Sequence, residues 1–495
     1  MDGFDEFSEH RERPLPGQRL GAWVRENGLV VFYAVLLMTV IFARGLWAPG
    51  EPDFAQSVRG MREDGSWLLP YLKDNHYSEN SIFFYWLLKL CTVGADALTG
   101  GAGFTHGVAA WALRIPSVLG SIAFLFAFKK WASRFLQRDV AELATMILCA
   151  APLWFWQSQY IQVDLLFATM LGWSWLCWLA GYLLLRGQTE GMENEHRRWF
   201  RISFLWLGLA VIALGLLALF LSALLLIAFL IWQRDLKALK GTWLLEGAGI
   251  VTLLALPWFL LTGYFTHATH AWDPFQPWDK YAEYWLGGFF PWVLLLPALA
   301  FFLRGSGAHR APVVRFMMLG CLLPALLLGW SRSNQGTFLL LTYPFLSLLL
   351  AGMLQPIAVE GVGPARIRRI GGLLAVGLWL PALALLVLGF TPLGGASLHA
   401  QITPILGPLR LSAVVLMLGA TSVTTRCLLG EGRYLVRETT ATLCALYLIG
   451  GTWGFHRLDP EKKFRHGFDV LLGVAPGEGE ILLEKKKTSF TKDLP

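Results

Sequence analysis

The sequence predicts an all-α polytopic membrane protein, and three observations carry that prediction. Of its 495 residues 55% are hydrophobic and 15% charged, too few charges to cover a water-soluble globule of that size. Apolar segments long enough to cross about 30 Å of hydrocarbon as helices recur along the chain. Lys and Arg cluster in alternate loops, as the positive-inside rule requires of a multi-span protein.

The apolar segments fall near residues 29–46, 108–128, 139–156, 162–186, 200–214, 216–232, 243–264, 286–303, 315–330, 337–357, 370–390, 410–425 and 436–454, about thirteen expected spans. The pair divided at Leu214–Gly215 reads either as one long helix or as a tight hairpin. Arg11, Arg13, Arg19 and Arg25 precede the first span, and further clusters follow alternate spans, among them Lys129 to Arg138, Arg186 to Arg201, Arg234 to Lys240 and Arg366 to Arg369. Intervening loops such as 157–163 and 391–406 carry no Lys or Arg. This phase predicts a cytoplasmic segment over 1–28, a transmembrane body over 29–455 with a large outer loop over 47–107, and a short outer tail over 456–495. The acidic N-terminus runs into a full-length span without a cleavage site, so the first span is expected to stay as an anchor.

Composition also narrows the function classes. The net charge of +7 is spread between spans rather than gathered in one patch, which argues against nucleic acid. The six cysteines form no C-x-x-C pair, so neither a disulfide nor a structural zinc site is expected. The 23 Trp suit interfacial belts, where one edge of the ring is apolar and the other wet.

Polar chemistry concentrates between Trp47 and Trp86. Phe54, Val58 and Met61 recur at helical spacing and Gly65 is a natural stop, which predicts a short helix on the membrane surface. A second helix, 81–98, is interfacial in character, with Tyr85 and Lys89 one turn apart. Glu51 and Asp53 flank Pro52 in the expected first turn, where acids are favoured by the helix dipole whatever else they do. Glu79 precedes an apolar helix, and Asp164 opens the fourth span at its outer end; a carboxylate there is costly unless paired or hydrated. Arg114, in W-A-L-R-I-P-S, either snorkels to the surface or pairs with an anion.

Taken together, E-P-D-F-A-Q-S-V-R-G-M-R-E-D-G-S-W-L-L-P-Y-L, H-Y-S-E-N-S-I-F-F-Y-W-L, V-D-L-L-F, L-P-W-F-L-L, G-G-F-F-P-W-V-L-L-L-P and S-R-S-N-Q-G-T-F-L-L-L-T-Y-P-F-L resemble, in order, the motifs of the GT-C membrane glycosyltransferases of the protein O-mannosyltransferase and lipid A aminoarabinose transferase family. The resemblance covers roughly residues 30–355. It departs at Gly50, Asp53, Asn80 and Leu214, where the family carries charged residues. It implies a GT-C bundle that transfers a sugar, with inversion, from a polyprenyl-phosphate carrier to a lipid, glycan or protein acceptor on the outer face.

Such a reaction needs a carboxylate to take the acceptor's proton and cations to neutralise the departing phosphate. The resemblance implies Glu51 or Asp53 as base and Glu79 and Asp164 as second acids, with Glu79 the metal ligand if a divalent ion takes part. Arg59, Lys89 and Arg332 are the phosphate candidates, and His76, Tyr77 and Arg114 acceptor-binding or structural. Trp154, Trp156, Trp285, Phe289, Phe290 and Trp292 would flank the lipid path or belong to the belts. Short strand-like runs at Val470–Val474 and Ile481–Leu483 suggest a hairpin in the tail. A lipid or solute transporter and a catalytically inactive relative are the other readings. A transporter would more often show internal repeats and mid-span charges, whereas here the acids gather at one surface.

Overall fold

The computed structural model describes residues 16–47, 50–65, 67, 82–99, 108–187, 193–262, 285–305, 307–329, 336–358, 363–390 and 403–457. Its helices are α1 Pro16–Val40, α2 Gly50–Glu63, α3 Ile82–Thr99, α4 Ala110–Phe135, α5 Arg138–Cys149, α6 Pro152–Ser158, α7 Val163–Gly187, α8 Glu193–Leu214, α9 Leu217–Gln233, α10 Leu244–Thr262, α11 Leu296–Gly305, α12 Pro312–Gly329, α13 Tyr343–Ala358, α14 Pro364–Phe390, α15 Leu406–Leu429 and α16 Gly432–Leu448. No strand occurs among the described residues. The expected tail hairpin lies outside them.

Every expected apolar segment holds a helix, but several are shorter or more broken than periodicity suggests. Among the described residues four helices are long and apolar enough to cross a membrane, or five if α5 and α6, bent by 70° at their junction, make one span; the expected count of about thirteen is not reproduced there by length and hydropathy alone. The chain is nonetheless a multi-pass membrane protein. The interruptions have local causes. Pro152 cannot donate to the helix before it and opens α6 instead. Gly215, at φ +82°, takes a left-handed turn that a side chain would resist, and so separates α8 from α9. The expected 286–303 span is interrupted at Pro291, with a 3-10 turn, Trp292–Leu295, leading into α11. The first span also ends early: α1 stops at Val40, and residues 44–47 leave the helix to turn inward.

The centre of the bundle is α7, almost wholly buried and packed chiefly on α8 and α4. Ser174 Oγ donates to Ser203 O in α8 at 2.9 Å, and Trp175 Nε1 to Ser222 Oγ in α9 at 2.9 Å. These bonds matter because lipid offers apolar surfaces no hydrophobic reason to associate, leaving packing and polar links to hold helices together. At the α7 C-terminus Arg186 and Tyr182 both donate to Asp235, while Arg197 donates to Glu246 at 3.0 Å. Trp154, Phe289 and Trp292 are fully buried. They pack helices together rather than facing lipid: Trp154 Nε1 donates to Ser121 Oγ, and Phe289 lies 4.7 Å from the Tyr343 ring.

Candidate functional site

The short helix expected after the first span is present as α2, with Glu51 and Asp53 in its first turn. Phe54, Val58 and Met61 are buried, and Gly65 ends the segment at φ +66°. About half a turn of helix separates its two acids and decides their fates. Asp53 faces out and is exposed. Glu51 faces in and is fully buried, as is Arg114.

Glu51 is held from every side. Its Oε2 accepts from Arg44 Nη1 at 2.8 Å, Arg114 Nη2 at 2.7 Å and the Trp47 amide at 2.9 Å. Its Oε1 accepts from Arg114 Nε at 3.1 Å, Arg44 Nη2 at 3.2 Å and the Ile161 amide at 3.3 Å. Burial pushes the Glu51 carboxyl up, but Arg114 and then Arg44 outweigh it and hold the group below the usual carboxylate range. Two buried guanidiniums against one carboxylate leave an excess positive charge. It is softened by carbonyls, since Arg114 also donates to Ile41 O, Arg44 O and Gly45 O, and by the rings around Arg44.

Three residues beyond Ile161 lies Asp164, in the first turn of α7 and 1% exposed. Its Oδ2 accepts from Thr337 Oγ1, in the 3-10 turn Gly336–Leu341, while its Oδ1 has no hydrogen-bond partner among the described residues. The side-chain amide of Gln159, fully buried, likewise has none. The fold therefore brings Glu51, Arg114 and the turn into Asp164 together.

The other expected site residues are placed differently. Arg59 pairs with Glu63 along α2 at 2.6 Å. Lys89, on α3, donates from Nζ to Met61 O at 2.7 Å and lies 4.2 Å from the centre of the Trp67 ring; with the ion pair of Arg62 and Asp96 it clamps α3 on α2. Glu79, His76, Tyr77 and Arg332 lie outside the described residues. Among the described residues no three His, Cys, Asp or Glu side chains converge on a point. Arg44 is absent from the expected set. One signal could have found it: an arginine at the end of a span that the positive-inside rule expects to face outward, where few cations stand, calls for a buried anion.

The described residues form an all-α membrane bundle with a buried cluster of Arg44, Glu51 and Arg114 at one end. No family model matches the chain. Its relatives include the undecaprenyl phosphate-alpha-4-amino-4-deoxy-L-arabinose arabinosyl transferases of Shewanella sediminis, 24% identical over 345 residues covering 65% of this chain and 58% of that protein, and of Yersinia enterocolitica, 27% identical over 354 residues with the same coverage. The chain thus matches less than two thirds of the length of these relatives. In fold it is similar to the crystal structure of ArnT from Cupriavidus metallidurans bound to undecaprenyl phosphate, with a TM-score of 0.69 at 20% identity over 88% of this chain and 78% of that one. The resemblance read from its motifs is therefore met by both its relatives and its fold.

Proposed function

We propose that this chain is an inner-membrane glycosyltransferase that moves a sugar of the 4-amino-4-deoxy-L-arabinose class from undecaprenyl phosphate to a glycolipid acceptor of the lipid A type on the outer face. The names of its relatives support the donor, and the alternating cationic loops support the side. The observation that carries the reading is the contrast between two buried carboxylates. Among the described residues Glu51 spends both oxygens on six donors, whereas Asp164, three residues beyond Ile161, has one oxygen without a partner. A group that must accept a proton from an incoming hydroxyl needs a free lone pair. We therefore assign that role to Asp164 and a supporting one to Glu51, with Asp53 as a helix-start acid. Arg332 is our candidate for neutralising the departing phosphate; Thr337, which donates to Asp164, ties the stretch just after Arg332 to that carboxylate. Glu79 remains the second acid of the proposal.

Full-length protein in proteoliposomes, given undecaprenyl phosphate-linked aminoarabinose and lipid A, should yield modified lipid A by mass spectrometry. Asp164→Asn should lower kcat at least about tenfold, on the order of 1.4 kcal/mol of barrier, with the thermal midpoint nearly unchanged. A loss of stability with kcat intact would make Asp164 a structural residue. Sidedness is tested separately: Asp53→Cys in intact inner-membrane vesicles of known orientation should react with a membrane-impermeant maleimide from the periplasmic side. Labelling from the cytoplasmic side would overturn the topology.

A further inference from the structure

Arg44 lies beyond the end of α1 and is 4% exposed. Its fork grips both oxygens of Glu51, at 2.8 and 3.2 Å, and reaches Gln159 O at 3.0 Å. Its guanidinium carbon stands 4.7 Å from the centre of the Trp47 ring, 5.6 Å from those of Trp156 and Tyr160, and 5.8 Å from that of Phe455. One side chain thus joins the end of the first helix, the start of α2, the turn between α6 and α7 and the last described helical residues.

The turn is gripped at three points, one of them Tyr160 O, which accepts from Ser117 Oγ at 2.8 Å, and the other two through the Arg44–Glu51 pair. Arg44 holds it directly at Gln159 O, and Glu51 holds it at the Ile161 amide. Asp164 follows three residues later, and among the described residues its side chain has one hydrogen bond, from Thr337, so its direction depends on the turn that leads into it. We propose that Arg44 is a positioning residue, fixing the Gln159–Ile161 turn and thereby the direction in which Asp164 presents its free oxygen, without itself meeting substrate. The proposal rests on the reading of Asp164 given above.

The chemistry of the grip explains why arginine stands here. A planar fork can serve two carboxylate oxygens and a carbonyl at once and can lie against aromatic faces. An ammonium is a point charge: in Arg44→Lys it would keep an attraction to Glu51 but lose the simultaneous hold on Gln159 and the flat contact with the rings. Both Nη atoms of Arg44 are already engaged, and Nε, without a partner among the described residues, is buried, so a role in direct substrate binding is not favoured.

The test uses full-length protein in lipid nanodiscs, comparing wild type with Arg44→Lys. Hydrogen exchange in a peptide spanning 157–163 should speed up about tenfold, with exchange beyond residue 170 in α7 unchanged. In the folded fraction kcat should fall about tenfold while KM for undecaprenyl phosphate-linked aminoarabinose stays within about twofold, the pattern of a loss confined to the transition state. Unchanged exchange in that peptide overturns the proposal, as does faster exchange with kcat intact. If Arg44→Lys does not fold, Phe455→Leu, which removes one ring of the cage and keeps both ion pairs, should show the same pattern at about threefold, and its absence is equally decisive. Should wild type transfer no sugar, the function proposed above fails, while the exchange measurement alone still decides whether Arg44 holds the turn.

Discussion

Arg114→Ala should cost the protein about 3–5 kcal/mol, because removing one partner of a buried ion pair leaves the other charge without compensation in a low-dielectric interior. All five N–H groups of Arg114 are in use, on the two oxygens of Glu51 and on Ile41 O, Arg44 O and Gly45 O. The substitution therefore strands carbonyls as well as a carboxylate. Arg114→Lys should recover little, since one ammonium cannot reach five acceptors spread around a plane. Thermal unfolding of the solubilised full-length protein reads the effect, and a midpoint within about a degree of wild type would show that the cluster is not a stabilising element.

The same cluster sets a pH dependence with a definite sign. The Glu51 carboxyl is depressed in the folded protein against about 4.3 in an unfolded chain. A depressed carboxylate contributes stability that is fully present above its unfolded pKa and is lost as pH falls through its folded pKa. The stability gap between wild type and Glu51→Gln should therefore be full at neutral pH and close only below about pH 4. A gap already closing well above pH 5 would mean that burial, not the arginines, governs this group.

The second large effect is expected at the other end of α7. Trp178 is 2% exposed. Its ring meets Tyr182 on its own helix, Phe200 on α8, Phe229 on α9 and Phe316 on α12, with centroids 5.7 to 6.0 Å away. Trp178→Ala should cost about 3–5 kcal/mol through the cavity it leaves. In a bilayer the loss is one of packing rather than of hydrophobic transfer, because lipid tails are as apolar as the ring. Trp178 is fourteen residues from Asp164, about 21 Å along a helix, so kcat and the donor KM per folded molecule should be unchanged. Trp178→Phe should restore most of the stability. A fall in kcat without a fall in thermal midpoint would show that this aromatic knot communicates with the cluster around Glu51.

Much of the bundle was legible because helical periodicity and apolar run length are properties of neighbouring residues. The buried stripe Phe54, Val58 and Met61 and the stop at Gly65 were readable in this way. The breaks were less so. Pro152 sits within a run whose hydropathy reads straight through, although the chain bends by 70° there, and Pro291 interrupts another. In the site, Asp164 and Glu51 stood out as acids in apolar company, and the sign of Arg114 made it a candidate for pairing. Arg44 did not stand out, since a charge at the end of a span is ordinarily a solvated end.

From the sequence by itself came the membrane class, the helical periodicity, the polar stretch after the first span and the inventory of carboxylates, because each depends on local spacing and on how apolar the adjoining chain is. Only the tertiary structure decided which carboxylate is committed and which, among the described residues, keeps an oxygen without a partner. Glu51 is taken up by Arg114 and the Ile161 amide, 63 and 110 residues away, while Asp164 receives Thr337, 173 residues away, on one oxygen and leaves the other open. Hydrogen-bond saturation is a through-space property, and residues so far apart in the chain meet only because α2, α4, α7 and the Gly336–Leu341 turn converge at one end of the bundle.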